Sequence, residues 1–121
     1  MNPEALRQFC LSLPATTEGF PFDEQTLVFK VAGKMFALVD VDQFESINLK
    51  CEPERAAQLR EQHEAVLPGY HMNKKHWNTV LLDGSLPDKF LKELIIHSHQ
   101  LVVAGLPKKV RAELTDLDGG Q

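Results

Sequence analysis

Twelve consecutive residues, Pro68-Gly69-Tyr70-His71-Met72-Asn73-Lys74-Lys75-His76-Trp77-Asn78-Thr79, hold two lysines, two histidines, a tyrosine, the single tryptophan and no acid. Folded as a hairpin, that string sets cations at its tip and aromatic rings at its base. Lysines neutralise phosphate charge, while imidazole and amide groups add hydrogen bonds to phosphate oxygens. His71, Asn73, Lys74, Lys75 and His76 are therefore the candidate nucleic-acid contacts. The plainer alternative is a hairpin whose Tyr70 and Trp77 pack against a helix while the lysines keep the tip wet. Trp77 itself reads as a core anchor, because an indole at the foot of a hairpin gains most from burial.

Other chemistry is sparse. His71 and His76 are five apart across a turn, with no cysteine or carboxylate between them, unlike the ligand spacing of zinc sites. His97 and His99 fall about 200° apart on a helical wheel, so they cannot share one ion and read as residues bordering a buried stripe. Cys10 and Cys51 fall on apolar faces, as small core residues rather than nucleophiles. Lys108, Lys109 and Arg111 form a second basic cluster, which either compensates a helix C-terminus or adds a phosphate contact. No phosphate-cradling glycine loop, HExxH or GxSxG string occurs. The expectation is a binding protein with no catalytic residues, no cofactor and no metal.

The elements that must hold these residues follow from punctuation and period. Asn2 caps and Pro3 opens a first helix, with Leu6, Phe9, Cys10 and Leu13 on one face and Pro14 beyond its end. Ala15 to Glu24, with Glu18, Asp23 and Glu24, reads as an acidic solvated loop. Leu27 to Val31 and Met35 to Asp40 read as strands joined by Ala32-Gly33-Lys34, a tight turn in which glycine takes positive φ. Ile47 to Cys51 alternates as a third strand with one wet face. Pro53 to about Gln62 is a helix. Tyr70 to Asn73 and Trp77 to Asp83 make the second hairpin, and Ser85 with Asp88 reads as a capping box. Phe90, Leu91, Leu94, Ile95, Ser98, Leu101, Val102 and Gly105 share one stripe of a last helix that Pro107 ends. The order is α-β(3)-α-β(2)-α: an α+β two-layer sandwich with a mainly antiparallel sheet.

At 121 residues, 43% hydrophobic and 25% charged, the chain fits one globular domain over residues 1–114, with 115–121 a fraying tail. The net charge of −4 excludes a wholly basic nucleic-acid coat but leaves room for a local basic patch. Two cysteines are too few for a disulfide scaffold, and no apolar run approaches a membrane span. A soluble cytoplasmic protein with no membrane partner is expected.

Several strings together resemble the MmcQ/YjbR family of small bacterial proteins: Phe29-Lys30-Val31, Gly33-Lys34-Met35-Phe36-Ala37, Leu49-Lys50-Cys51 with Pro53, and above all Pro68 to Trp77. Ser98 and Leu101-Val102 match as well. The resemblance runs from about Pro3 to Leu114. It implies a fold similar to type III secretion chaperones, and DNA binding by a double wing in which two hairpins grip the duplex. Carried onto this sequence, the wings are Val31-Ala32-Gly33-Lys34, which adds Lys34 to the candidate contacts, and Asn73-Lys74-Lys75-His76. A protein-interaction module is the alternative that such a fold implies. Ile96 and Val103, seven apart on the side of the last helix away from its stripe, suggest a weak homodimer through that face, bordered by Lys92 and His99.

Overall fold

The start of the chain behaves as its chemistry dictates: Asn2 Oδ1 accepts the Ala5 N–H at 2.7 Å, and Pro3 opens helix α1 (Pro3–Ser12). The computed structural model describes residues 1–69 and 72–119, with backbone alone from 115 to 119. After α1 come β1 (Thr16–Gly19), β2 (Thr26–Val31), β3 (Lys34–Asp40), β4 (Ser46–Lys50) and α2 (Pro53–Gln62). Then follow β5 (Val66–Pro68), β6 (Trp77–Leu81), α3 (Asp88–Ala104) and α4 (Lys108–Gly119). The strands form one sheet in the order β1-β2-β3-β4-β6-β5, antiparallel at every pairing. The fold is α+β, as expected.

One sheet face builds the main core. Leu27, Phe29 and Val31 of β2, Val39 of β3 and Ile47 and Leu49 of β4 join Leu6 and Cys10 of α1 and Leu91, Leu94, Ile95 and Val102 of α3. Burial pushes the Cys10 thiol up to about 12 and raises Cys51 as well, in keeping with their places in the core. The opposite face carries a smaller cluster of Val28, Leu38 and Trp77, with Met35 and Met72 against it. Trp77 is thus an anchor, packed on the sheet rather than on a helix.

A β-bulge shapes one end of the sheet. Phe29 pairs with Ala37 but Lys30 pairs with Met35, so Phe36 is the extra residue, and Phe36 and Ala37 both enter the main core. The β3–β4 ladder stops at Ala37 and Leu49. Beyond it Ser98 of α3 inserts between the strands: its Oγ accepts the Lys50 N–H at 2.9 Å and donates to the Phe36 carbonyl at 2.5 Å. The two strands splay around a helix hydroxyl.

Five expectations need correction. Thr16 to Gly19 is an edge strand rather than part of the acidic loop; Glu18 on it pairs with Arg7 of α1 at 2.8 Å. The second hairpin begins at Val66 rather than Tyr70, because Pro68, on an edge strand, needs no N–H for the ladder. The Ser85 box does not form: Ser85 N–H donates to Asp83 Oδ1, Pro87 is the N-cap, and Asp88 takes the Met1 ammonium at 3.0 Å. Pro107 ends α3, and a fourth helix, α4, follows directly over Lys108–Gly119 where the sequence predicts no further element; residues 120 and 121 lie outside the described residues. That fourth helix changes the outer side of α3. Ile96 and Val103 are half-buried and line a groove of about 500 Å³ with Leu13, Ala104 and Leu114. His99 is buried, its Nε2–H donating to the Pro14 carbonyl at 2.9 Å and its ring edge-on to Phe36, and Lys92 lies 5.4 Å from the Phe9 ring centre.

Candidate nucleic-acid interface

Antiparallel register decides which charges meet. The β2–β3 turn, the end of β4, the start of β6 and the end of β5 lie together, since Val31 pairs with Lys34, Lys50 with Trp77, and Pro68 with Asn78. Lys34, Lys50, Lys74 and Lys75 therefore stand along one end of the sheet. The end of α3 closes on the same place, because Gly105, Leu106 and Pro107 line a cleft with Lys34 and Lys50. Lys108 and Lys109 follow directly. Among the described residues none of these six ammonium groups sits in an ion pair. The acids nearest in sequence are Glu52 and Glu54. Glu52 caps α2, and the amides of Arg55 and Glu54 hold its carboxyl below the usual value.

The other end of the strands is acidic. Asp23 and Glu24 precede β2, Asp40 and Asp42 end β3, Glu45 precedes β4, Asp83 follows β6 and Asp88 opens α3. Amides of Thr26 and Gln25 hold the Asp23 carboxyl below its ordinary value, and the Ser85 hydroxyl and amide do the same for Asp83. The net charge of −4 thus conceals two unlike ends.

Gly69 and the turn over residues 72–76 are braced at their base. Gly69 N–H donates to the Trp77 carbonyl at 2.9 Å, so close that a Cβ on Gly69 would stand 2.7 Å from that oxygen. Cys51 N–H reaches the His76 carbonyl at 2.8 Å. Asn73 makes an Asx turn, its Oδ1 accepting the Lys75 N–H at 2.9 Å, while its carbonyl accepts the N–H groups of His76 and Trp77. From below, Arg60 of α2 donates to the Lys74 carbonyl at 2.9 Å and to the buried Asn78 at 3.2 Å.

Of the expected contacts, Lys34, Asn73, Lys74, Lys75 and His76 fall on this end; Tyr70 and His71 lie outside the described residues. Lys74 Nζ turns back to the Gly69 carbonyl at 3.4 Å, which leaves Lys75 the more outward of the pair. Lys108, Lys109 and Arg111 open α4 rather than close a helix, so dipole compensation is overturned: cations are disfavoured at an N-terminus. Arg111 lines the groove beside Ile96 instead of joining the lysines. Lys50 and Arg60 were not singled out from sequence; only the strand register and the α2–loop contact reveal them.

Among the described residues no three His, Cys, Asp or Glu side chains gather as a metal site, and no helix is long and apolar enough to cross a membrane. The chain is similar over 118 residues, at 39% identity, to the uncharacterised protein YjbR of Escherichia coli K12, covering 97% of this chain and 100% of that one. It is 36% identical over 75 residues to the uncharacterised protein YyaQ of Bacillus subtilis, 62% of this chain and 63% of the relative. Among solved structures, Deinococcus radiodurans protein DR2400, a DUF419 domain, superposes with a TM-score of 0.88 at 45% identity, covering 93% of this chain and 87% of that one. A Pseudomonas syringae protein gives a TM-score of 0.71 at 32% identity, covering 84% and 98%. The YjbR family model matches residues 11–101, and with these relatives it places the chain in the YjbR family.

Proposed function

We propose that the protein binds duplex DNA by its sugar–phosphate backbone, with the Val31–Lys34 turn and the 69–76 loop as two prongs. The observation that supports this is the gathering at one end of the sheet of six lysines, from four segments, that make no ion pair among the described residues. Lys108 and Lys109 strengthen the reading, since a helix N-terminus disfavours them by about 0.3–1 kcal/mol each and a phosphate partner would reverse that sign. Lysines act as point charges, so the contacts position the duplex without reading its bases. Asn73 serves its own turn, which fits the absence of base readout. In this reading the protein is a cytoplasmic binder, with no catalytic role.

Titration of a labelled duplex at two salt concentrations tests it. Wild type should bind with a steep salt dependence. Lys34→Ala with Lys75→Ala should weaken binding equally for all sequences and lower the log–log slope by about 0.9 per lost contact. Unchanged affinity and slope in that double variant would sink the two-prong reading. The groove of about 500 Å³ along Ile96 and Val103 favours a second reading, a protein-interaction module whose simplest occupant is another copy of the chain. Sedimentation of wild type against Ile96→Glu decides that one, and a monomer at high micromolar concentration ends the homodimer.

A further inference from the structure

Beyond Ala37 and Leu49, where β3 and β4 stop pairing, the sheet leaves a cleft of about 330 Å³. Its cations are Lys34 from the exposed turn and Lys50 from a half-buried position at the end of β4. Its apolar lining comes from Met35, Leu101, Val102 and Leu106, and no acid lines it. The backbone at Lys50 is fixed from the far side, because Ser98 holds its N–H while bonding the Phe36 carbonyl of the bulge. Bulges recur beside functional sites, where they re-aim side chains and end pairing. A cleft with paired cations and an apolar wall suits a ligand with a full negative charge next to a weakly polar ring. A sugar–phosphate unit is such a ligand.

We infer that this cleft seats one phosphate ester, with Lys34 and Lys50 on the phosphate and Met35, Leu101 and Leu106 against the sugar. The inference rests on the duplex reading for the source of the ester and names the position between the two prongs that one backbone phosphate occupies. A free phosphorylated small molecule offers the same chemistry. The lysines contribute charge here in the ordinary way of phosphate contacts; the splayed strands supply the geometry.

Amide correlation spectra of the full chain, titrated separately with a short duplex and with inorganic phosphate, test the cleft. The duplex should shift the amides of Lys34, Met35, Leu101 and Leu106, and Lys50→Met should lower the salt slope by about 0.9. If Lys50→Met does not fold, the amide shifts of Leu101 and Leu106 in the wild-type chain carry the test, because those residues line the cleft and belong to neither prong. Duplex binding that depends on Lys34 and Lys75, with the amides of Leu101 and Leu106 still and the slope unchanged in Lys50→Met, overturns the cleft and leaves the two prongs standing. Phosphate moving those amides without any duplex uptake supports the cleft and overturns its duplex source. If neither probe moves them and no duplex binds, both readings fall.

Discussion

Ser98 makes two hydrogen bonds that neighbouring strands elsewhere in the sheet make for themselves. Ser98→Ala strands the Lys50 N–H and the Phe36 carbonyl, with an expected loss of about 1–3 kcal/mol read from urea unfolding. A variant as stable as wild type would show that the strands close once the hydroxyl is gone. Gly69 is constrained by space, since its Cβ would meet both the Trp77 carbonyl and the Trp77 Cβ at 2.7 and 2.8 Å. Gly69→Ala should therefore cost about 1–3 kcal/mol, the range for overpacked sites, and shift the amides of the 69–76 loop. His97 carries a pH signature. Burial lowers its pKa below the ordinary 6.5, Arg55 lowers it further, and the ring accepts the Glu52 N–H at 3.4 Å. Because the native value lies below the unfolded one, the unfolded chain takes up the proton first as pH falls. That share of stability is complete above about 6.5 and is lost as pH drops toward the native value. His97→Gln should flatten this part of a stability–pH curve; an identical curve would remove His97 from the account.

At the scale of elements, the β2–β3 turn sets an alanine at φ 50° and a glycine at φ 79°. Two positive φ angles define the turn type that favours Asn-Gly. Ala32→Asn should raise stability by about 0.5–1 kcal/mol, because asparagine visits the left-handed region more readily than alanine. A lower unfolding midpoint would contradict this. The same turn explains why part of the interface was legible: Gly33 and the apolar alternation around it announce Lys34 at a tip. Asn73 and the lysines after it announce the loop in the same way. Three elements were not legible. In β1, Thr16-Thr17-Glu18-Gly19 has no apolar alternation, since an edge strand over a helix needs only backbone pairing and the Arg7 contact. In β5, Pro68-Gly69 looks like a break although Pro68 pairs with Asn78 and the Gly69 N–H still reaches the Trp77 carbonyl. In α4, one proline both ends a helix and starts the next, so the lysines after it were assigned to the wrong terminus. Lys50 escaped for a different reason: its neighbours at that end come from register, which no local spacing reports.

For the whole molecule, sorting by strand end matters more than the sum of charges. The side of α3 opposite its buried stripe illustrates the same point for apolar residues, since a wheel made Ile96 and Val103 outward and the return of α4 made them groove walls. The charge sorting has a consequence that can be read on a chromatography column. Six lysines at one end of the strands, and Asp23, Glu24, Asp40, Asp42, Glu45 and Asp83 at the other, set an electric dipole along the strand direction. Near a polyanion such a body is turned before it touches, so its arrival rate falls with salt even though it bears net negative charge. Near neutral pH it should be retained by a cation-exchange resin as well as by an anion-exchange resin, each holding it by opposite poles. Lys34→Ala with Lys75→Ala should shorten retention on the first and leave it on the second, whereas equal changes on both would mean that the poles do not act separately.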